Sequence, residues 1–294
     1  MNIRKYLTVL LAVILLMISA GCADSSLKES KGTITVSILP FSYFVKKIAG
    51  PEYQVNVIVP PGASPATFEP PPSVIQSLNR SEAVIFNGYL GFEQAWMKKL
   101  IGVNEDIQAL YLADNQDLIA AEANKHGDHV HYNGVDPHFW VSVSSARLIS
   151  VDIRDFLQEV YPDDKLIFEE NFKALESEIE ATLAYVQERL KDLENRTFLI
   201  FHPALTYFAR EFGLKQVPVE LDGKEPGAAW LKELIDMARR DSITTILVQQ
   251  EFNRSSAETI AKEIDGSVVN IFPLSDDWPG AIKEIADALA EADK

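Results

Sequence analysis

Five histidines are the side chains of this sequence best suited to bind a metal ion, because neutral imidazole is a common ligand of zinc and related divalent metals. His138 lies within Asp-Pro-His-Phe-Trp, just before a predicted helix, and His202 directly follows the apolar run 198–201. Ligands of parallel α/β sheets collect at the carboxyl ends of strands, so the two imidazoles would meet if the parts of the chain that carry them face each other. Taken alone, each histidine fits a helix cap or a core contact equally well.

The other three histidines, His126, His129 and His131, lie in a stretch without a periodic apolar pattern. We predict that residues 124–135 form a histidine-rich loop. The spacing of three and two residues suits a flexible chelating segment. A solvated loop that holds no ion is the alternative.

One long helix, predicted at residues 163–195, would organise the elements that carry these groups. Apolar side chains recur in it at steps of three and four, which places them on one face of a helix. At 1.5 Å per residue the helix would be roughly 45 Å long, more than the width of a small domain. It would therefore join two lobes, although a long surface helix of a single domain fits the same pattern.

Strands alternate with helices on both sides of this helix, which favours parallel sheets with crossover helices. We predict an α/β fold in which two βα lobes with parallel four-stranded sheets are joined by the long helix. The amino-terminal lobe would occupy residues 33–162 and the carboxy-terminal lobe residues 196–294.

Composition excludes several classes of function. The chain of 294 residues is 47% hydrophobic and 24% charged, which is ordinary for a globular protein. A net charge of −16 repels phosphate backbones, so we expect no nucleic acid partner. The sequence has no His-Glu-x-x-His helix, no glycine-rich phosphate loop and no Gly-x-Ser-x-Gly elbow, so we expect no enzyme.

The amino terminus is predicted to be a lipoprotein signal peptide, at residues 1–21. A basic start precedes an apolar run at residues 7–18, which is too short for a spanning helix, and small residues then lead to Cys22. Cys22 is the single cysteine, which excludes an internal disulfide, and it lies where such a signal places its acylated residue. Residues 22–32 would form a polar tether. The alternative is an ordinary secretory peptide cleaved near Cys22.

The sequence resembles the solute-binding proteins of bacterial zinc and manganese ABC importers. The resemblance covers roughly residue 33 to the end, and the segments around His138 and His202 are its most specific parts. Five stretches carry it: Pro61–Pro65 with Pro70, Asn87–Gly88 with Glu93, Asp136–Trp140, His202–Ala204 with Tyr207 and Gly213–Leu214, and Pro273–Leu274. It implies two lobes around a rigid helix, a metal ion in the cleft and delivery to a membrane permease. A lipid-anchored amino terminus and a histidine-rich loop are also common among such proteins.

Two of the four ligands that this resemblance implies are absent. Ala66 stands where the family usually has a histidine, and Phe272 stands where it usually has an aspartate. A tight, closed zinc site normally needs three or four protein ligands. Candidates at predicted strand ends, each of which also fits a surface or helix-start role, are Glu93, Gln249 and Glu251, followed by Glu69 and Asp276.

We therefore expect an extracytoplasmic, membrane-anchored monomer, in the periplasm or on the outer face of the cell membrane, that captures a divalent metal for an ABC permease. Two imidazoles favour Zn²⁺ over Mn²⁺, because harder metals prefer oxygen-rich sites. One alternative is a binding protein of the same fold for a chelated metal or a small organic ligand. Another is a surface adhesion or interaction lipoprotein. A metallohydrolase would need an open metal position and a nearby general base, and the sequence identifies neither.

Overall fold

The computed structural model describes residues 30–102, 104, 106–120, 134–220, 224 and 226–292. The predicted signal peptide, Cys22 and the three histidines of the predicted loop lie outside these residues. Within the described part of the chain there are eight β-strands and nine α-helices. No helix in that part is both long and apolar enough to cross a membrane.

The first four strands form one parallel sheet with the order β2-β1-β3-β4. Strand β3, with the sequence Ala-Val-Ile-Phe, is buried along its whole length, as expected for a parallel strand covered on both faces. The elements of this lobe are β1 (Gly32–Val36), α1 (Leu39–Ala49), β2 (Tyr53–Val57), α2 (Pro72–Leu78), β3 (Ala83–Phe86), α3 (Gly91–Ile101) and β4 (Gln108–Tyr111).

Two helices follow the first sheet, α4 (Val143–Val160) and the long helix α5 (Lys165–Leu190). Helix α5 has 26 residues and is therefore about 39 Å long. Its apolar stripe is buried as the sequence predicts, at Phe168, Phe172, Leu175, Ile179, Val186 and Leu190. The helix ends at Leu190, before the predicted end at residue 195, and the side chain of Arg196 donates a hydrogen bond to the carbonyl of Leu190.

The second sheet repeats the arrangement of the first, with parallel strands in the order β6-β5-β7-β8. Its elements are β5 (Thr197–Ile200), α6 (Thr206–Phe212), β6 (Lys215–Pro218), α7 (Ala228–Arg240), β7 (Thr245–Gln249), α8 (Ser255–Glu263), β8 (Ser267–Ile271) and α9 (Trp278–Ala292). The predicted fold, two βα lobes with parallel four-stranded sheets joined by one long helix, is confirmed.

The folded body begins before the end of the predicted tether. Lys31 donates to the carboxylate of Asp164 at 2.8 Å, at the start of α5, and the hydroxyl of Tyr53 donates to the same carboxylate at 2.6 Å. Strand β1 itself starts at Gly32. Residues 30–32 therefore belong to the fold.

One hydrophobic core continues from the first lobe into the second. It includes Ile34 of β1, Phe168 of α5, Phe208 of α6 and Trp278 of α9. The ring of Trp278 lies 5.4 Å from that of Phe44 in α1, so the last helix packs against the first lobe. Because protein interiors are close-packed and resist deformation, this shared core holds the lobes in a fixed relation.

Candidate metal centre

The structure brings His138 and His202 together where the two lobes meet. Their Nε2 atoms are 3.2 Å apart, and their ring centroids are separated by 5.1 Å. His138 lies at the end of the first lobe, just before a short 3₁₀ turn at residues 139–141, and His202 lies just beyond β5. The expected convergence of the two imidazoles is thus present.

A carboxylate, half-buried at Asp136 and buried at Glu220, orients each imidazole through its other nitrogen. Asp136 Oδ1 lies 2.8 Å from Nδ1 of His138, and Glu220 Oε1 lies 2.6 Å from Nδ1 of His202. A carboxylate accepts a hydrogen bond, so each Nδ1 carries the proton and each Nε2 presents its lone pair to the other ring. Burial tends to raise the pKa of Asp136, but the charge of His138 and its hydrogen bonds hold that pKa below the ordinary value.

The separation of the two Nε2 atoms suits a single tetrahedral ion. Zinc binds imidazole nitrogen at about 2.0–2.1 Å, so two tetrahedral nitrogen ligands lie about 3.3–3.4 Å apart. The observed distance of 3.2 Å is close to that value. Two facing lone pairs at this distance repel unless a proton or a cation lies between them, so the arrangement is built for a positive charge.

Aromatic rings cover the imidazole pair on two sides. The ring of Phe252 stacks on His202 with a centroid distance of 4.8 Å, and Trp140 lies 5.2 Å from His138. Apolar surroundings limit access of water and lower the local dielectric constant, which strengthens the interaction of a bound cation with the two carboxylates.

Gln249 supports the backbone of His202. Its Nε2 donates to the carbonyl of His202 at 2.6 Å, and its Oε1 accepts from the amide of His202 at 3.3 Å. Gln249 ends β7, the neighbour of β5 in the sheet, and it is buried. The Gln249 amide therefore holds the main chain of His202, and its predicted part as a metal ligand is not tested by this contact.

Glu93 supports the loop that follows β3. Its carboxylate accepts hydrogen bonds from the backbone amides of Asn87, Gly88 and Leu90, at 2.8, 2.7 and 3.3 Å. The side chain of Asn87 in turn donates to the carbonyl of Pro137 at 3.0 Å, next to His138. Glu93 is fully buried, and its carboxylate oxygens accept hydrogen bonds from backbone amides rather than contact the imidazole pair.

The titration of Glu93 should be visible in the pH dependence of folding stability. Burial raises its pKa from 4.5 to about 7, although the backbone hydrogen bonds act in the opposite direction. The native state then binds this proton more tightly than the unfolded state, so the contribution to stability is present at low pH and is lost as pH rises towards 7. The change amounts to at most about 1.4 kcal/mol per pH unit.

Glu93→Gln should remove this component, which urea unfolding at several pH values between 4.5 and 7 would measure. The slope of stability against pH is the quantity to compare, because the substitution also changes the absolute stability. Equal slopes in the two proteins would show that Glu93 does not titrate in this range.

The remaining carboxylate candidates do not join the imidazole pair. Among the described residues, no group of three or more histidine, cysteine, aspartate or glutamate side chains could hold a metal ion. Glu251 follows β7 and burial raises its pKa, Glu69 is exposed, and Asp276 lies 3.8 Å from the ammonium group of Lys46. His126, His129 and His131 lie outside the described residues, so their part in binding stays a prediction.

Sequence reasoning missed Asp136 and Glu220, the two carboxylates that touch the imidazoles. Asp136 stands two residues before His138, within reach of an Asx-type bond, and its carboxylate also accepts from the amide of His138 at 2.9 Å. Glu220 stands just beyond β6, which pairs with β5. The position of Glu220 after a strand could have indicated its role, but only if the order of the strands, which places β6 beside β5, had been known.

The fold and site to be compared with known proteins are thus two parallel βα lobes joined by one long helix, with an imidazole pair where the lobes meet. The family model described as zinc-uptake complex component A, periplasmic (ZnuA) matches residues 34–292. The chain belongs to this family.

Named relatives include proteins for both metals. The chain is 25% identical over 268 residues to the zinc-binding lipoprotein AdcA of Streptococcus pneumoniae. The aligned region covers 88% of this chain and 53% of AdcA. The chain is 26% identical over 259 residues to the manganese-binding lipoprotein MntA of Halalkalibacterium halodurans, covering 85% and 83%. The chain thus spans about half the length of AdcA, at 53%. A crystal structure of ZnuA matches with a TM-score of 0.84 and 35% identity, over 90% of this chain and 99% of that one.

Proposed function

We propose that this protein captures Zn²⁺ between His138 and His202 and passes it to the permease of an ABC importer. The observation that carries the proposal is the separation of 3.2 Å between two Nε2 atoms whose lone pairs face each other. That geometry suits two adjacent ligands of one tetrahedral zinc ion.

The charges around the imidazoles also fit a divalent cation. Two neutral imidazoles with ionised Asp136 and Glu220 carry a charge of −2, which a zinc ion neutralises. Carboxylates bound to Nδ1 raise the basicity of the ligating nitrogens and fix the orientation of the rings. Nitrogen ligands favour zinc over manganese, so zinc is the proposed solute and manganese the weaker one.

Capture should compete with protons. An imidazole nitrogen must be free of its proton to bind a metal ion, so zinc affinity should decline as pH falls.

The cellular setting follows from the relatives and the amino terminus together. AdcA and MntA are named lipoproteins, and the family model is described as periplasmic. We infer that Cys22 carries a lipid anchor that holds a monomer outside the cytoplasm, beside its permease. Mass spectrometry of the protein extracted from membranes tests the anchor, since an acylated Cys22 adds the mass of the lipid and its replacement by alanine removes it.

Titration calorimetry with zinc tests the capture. The parent should bind one ion per chain at the imidazole pair, and Glu220→Gln should weaken that binding by about 10–100-fold, because its charge no longer supports His202. The matched control is Glu180→Gln, which removes a carboxylate from an exposed pair with Arg147 and should bind like the parent. A parent protein that takes up no zinc would refute the proposed function.

A further inference from the structure

Helix α6 of the second lobe reaches the first lobe with three side chains of one face. Tyr207, Arg210 and Glu211 are spaced at three and four residues, so they project from the same side of the helix. Arg210 donates to the carbonyl of Asp117 at 3.0 Å and pairs with its carboxylate at 3.1 Å. This ion pair is exposed and should contribute little to stability. The contacts of Tyr207 and Glu211 instead reach the segments on either side of His138.

Tyr207 joins two separate parts of the first lobe through its hydroxyl group. The oxygen accepts from the amide of Ile119 at 2.9 Å and donates to the carbonyl of Asp136 at 2.7 Å. Its ring is 1% exposed and contacts Phe139 edge-on at 6.3 Å. Tyr207 therefore fixes the main chain of the same residue whose carboxylate orients His138.

Glu211 fixes the chain on the other side of His138. Its carboxylate accepts from the hydroxyl of Ser142 at 2.7 Å, from the amide of Val143 at 2.8 Å, and from the hydroxyl and amide of Ser144 at 2.7 and 3.1 Å. These residues begin α4, where a negative charge is stabilised by the unpaired amides and the helix dipole. One carboxylate from the second lobe thus caps a helix of the first.

Helix α6 is linked to both histidines, because it follows His202 closely in the chain and its side chains bind the segment that carries His138. His202 precedes its first residue, Thr206, by four positions, and the helix binds the His138 segment at Asp136 and at Ser142. Trp140, between these points, donates to the carbonyl of Pro273 at 2.9 Å, which is a third tie to the second lobe. The segment around His138 is consequently tied to the second lobe, to which His202 belongs, at Asp136, Trp140 and Ser142, in addition to the bond from Asn87 of the first lobe.

We propose that Tyr207 and Glu211 are positioning residues that set the distance and angle between the two imidazoles, and through them the affinity and coordination geometry of the bound ion. The metal part of this inference rests on the proposed zinc site.

Tyr207→Phe tests the inference, because it keeps the buried ring and removes only the hydroxyl. Zinc affinity should fall about tenfold, comparable to the loss of a supporting partner of a metal ligand. The visible spectrum of bound Co²⁺ should change in intensity, as it responds to the angles between ligands. Glu211→Gln is a second variant with the same expected result. The matched control is Tyr185→Phe, whose hydroxyl bonds to Asp287 at 2.9 Å between α5 and α9.

A readout without metal separates the inference from the proposed function. Nuclear Overhauser contacts between the two imidazoles should be present in the metal-free parent, whose ring centroids are 5.1 Å apart, and should weaken in both variants. If the parent binds no zinc but the contacts between the imidazoles weaken in the variants, the proposed zinc site is refuted and the positioning role of Tyr207 and Glu211 is supported. If the contacts, the zinc affinity and the cobalt spectrum all match the parent, even with a lower melting temperature, the positioning role is refuted.

Discussion

His138→Ala should weaken zinc binding by at least about a hundredfold, more than the loss of an outer partner of a ligand typically costs. The imidazole is one of the two proposed ligands, whose Nε2 atoms are 3.2 Å apart, and the described residues offer no group of three metal-binding side chains that could compensate. A ligand at 100 times its Kd stabilises the native state by about 2.7 kcal/mol. The rise in melting temperature that zinc produces in the parent should therefore disappear in the variant.

The comparison for this variant is the chain in which His126, His129 and His131 are all replaced by alanine. It removes more imidazoles and leaves the described pair intact, so it should keep most of the zinc affinity of the parent. Competition with a chromophoric chelator measures both proteins on one scale. If His138→Ala binds as tightly as the parent, the ion does not lie between the two lobes.

Features that depend on local periodicity were predictable from the sequence. The spacing of Phe168, Phe172 and Leu175 fixes which face of α5 is buried, whatever packs against it. The apolar run of β3 and the alternation of strands and helices indicate parallel sheets by the same local logic. The end of α5 was not predictable in this way, because the side chain of Arg196 from beyond the helix binds the last carbonyl.

Features that depend on pairing between distant segments were not predictable. Glu220 reaches His202 only because β6 lies beside β5, and nothing in the sequence around Glu220 indicates that neighbour. Gln249 does end a strand, β7, whereas Glu93 lies in the first turn of α3 and not at the predicted strand end. Both side chains bind backbone groups in the structure, so their proposed part in metal binding stays a prediction. Strand order and hydrogen-bond partners decide these roles, and neither follows from residue type.

Trp278→Ala should destabilise the protein by about 3–5 kcal/mol, the usual cost of truncating a large buried aromatic side chain. The indole is 1% exposed and lies against Tyr43 and Phe44 of the first lobe, with ring centroids 6.4 and 5.4 Å away. Its Nε1 also donates to the carbonyl of Trp140 at 2.7 Å, and that buried carbonyl would lose a partner. Since typical stabilities are about 5–15 kcal/mol, the midpoint of urea unfolding should fall markedly.

Trp278→Phe separates packing from the hydrogen bond, because it keeps an aromatic ring and lacks the indole N–H. We expect it to lose about 1–3 kcal/mol, the cost of leaving a buried group unpaired. The carbonyl that it frees belongs to Trp140, two residues after His138, so zinc affinity should also fall in this variant if the second lobe positions that segment. A parent-like unfolding midpoint for Trp278→Ala would mean that α9 does not join the lobes, and the fixed relation between the two imidazoles would then need another source.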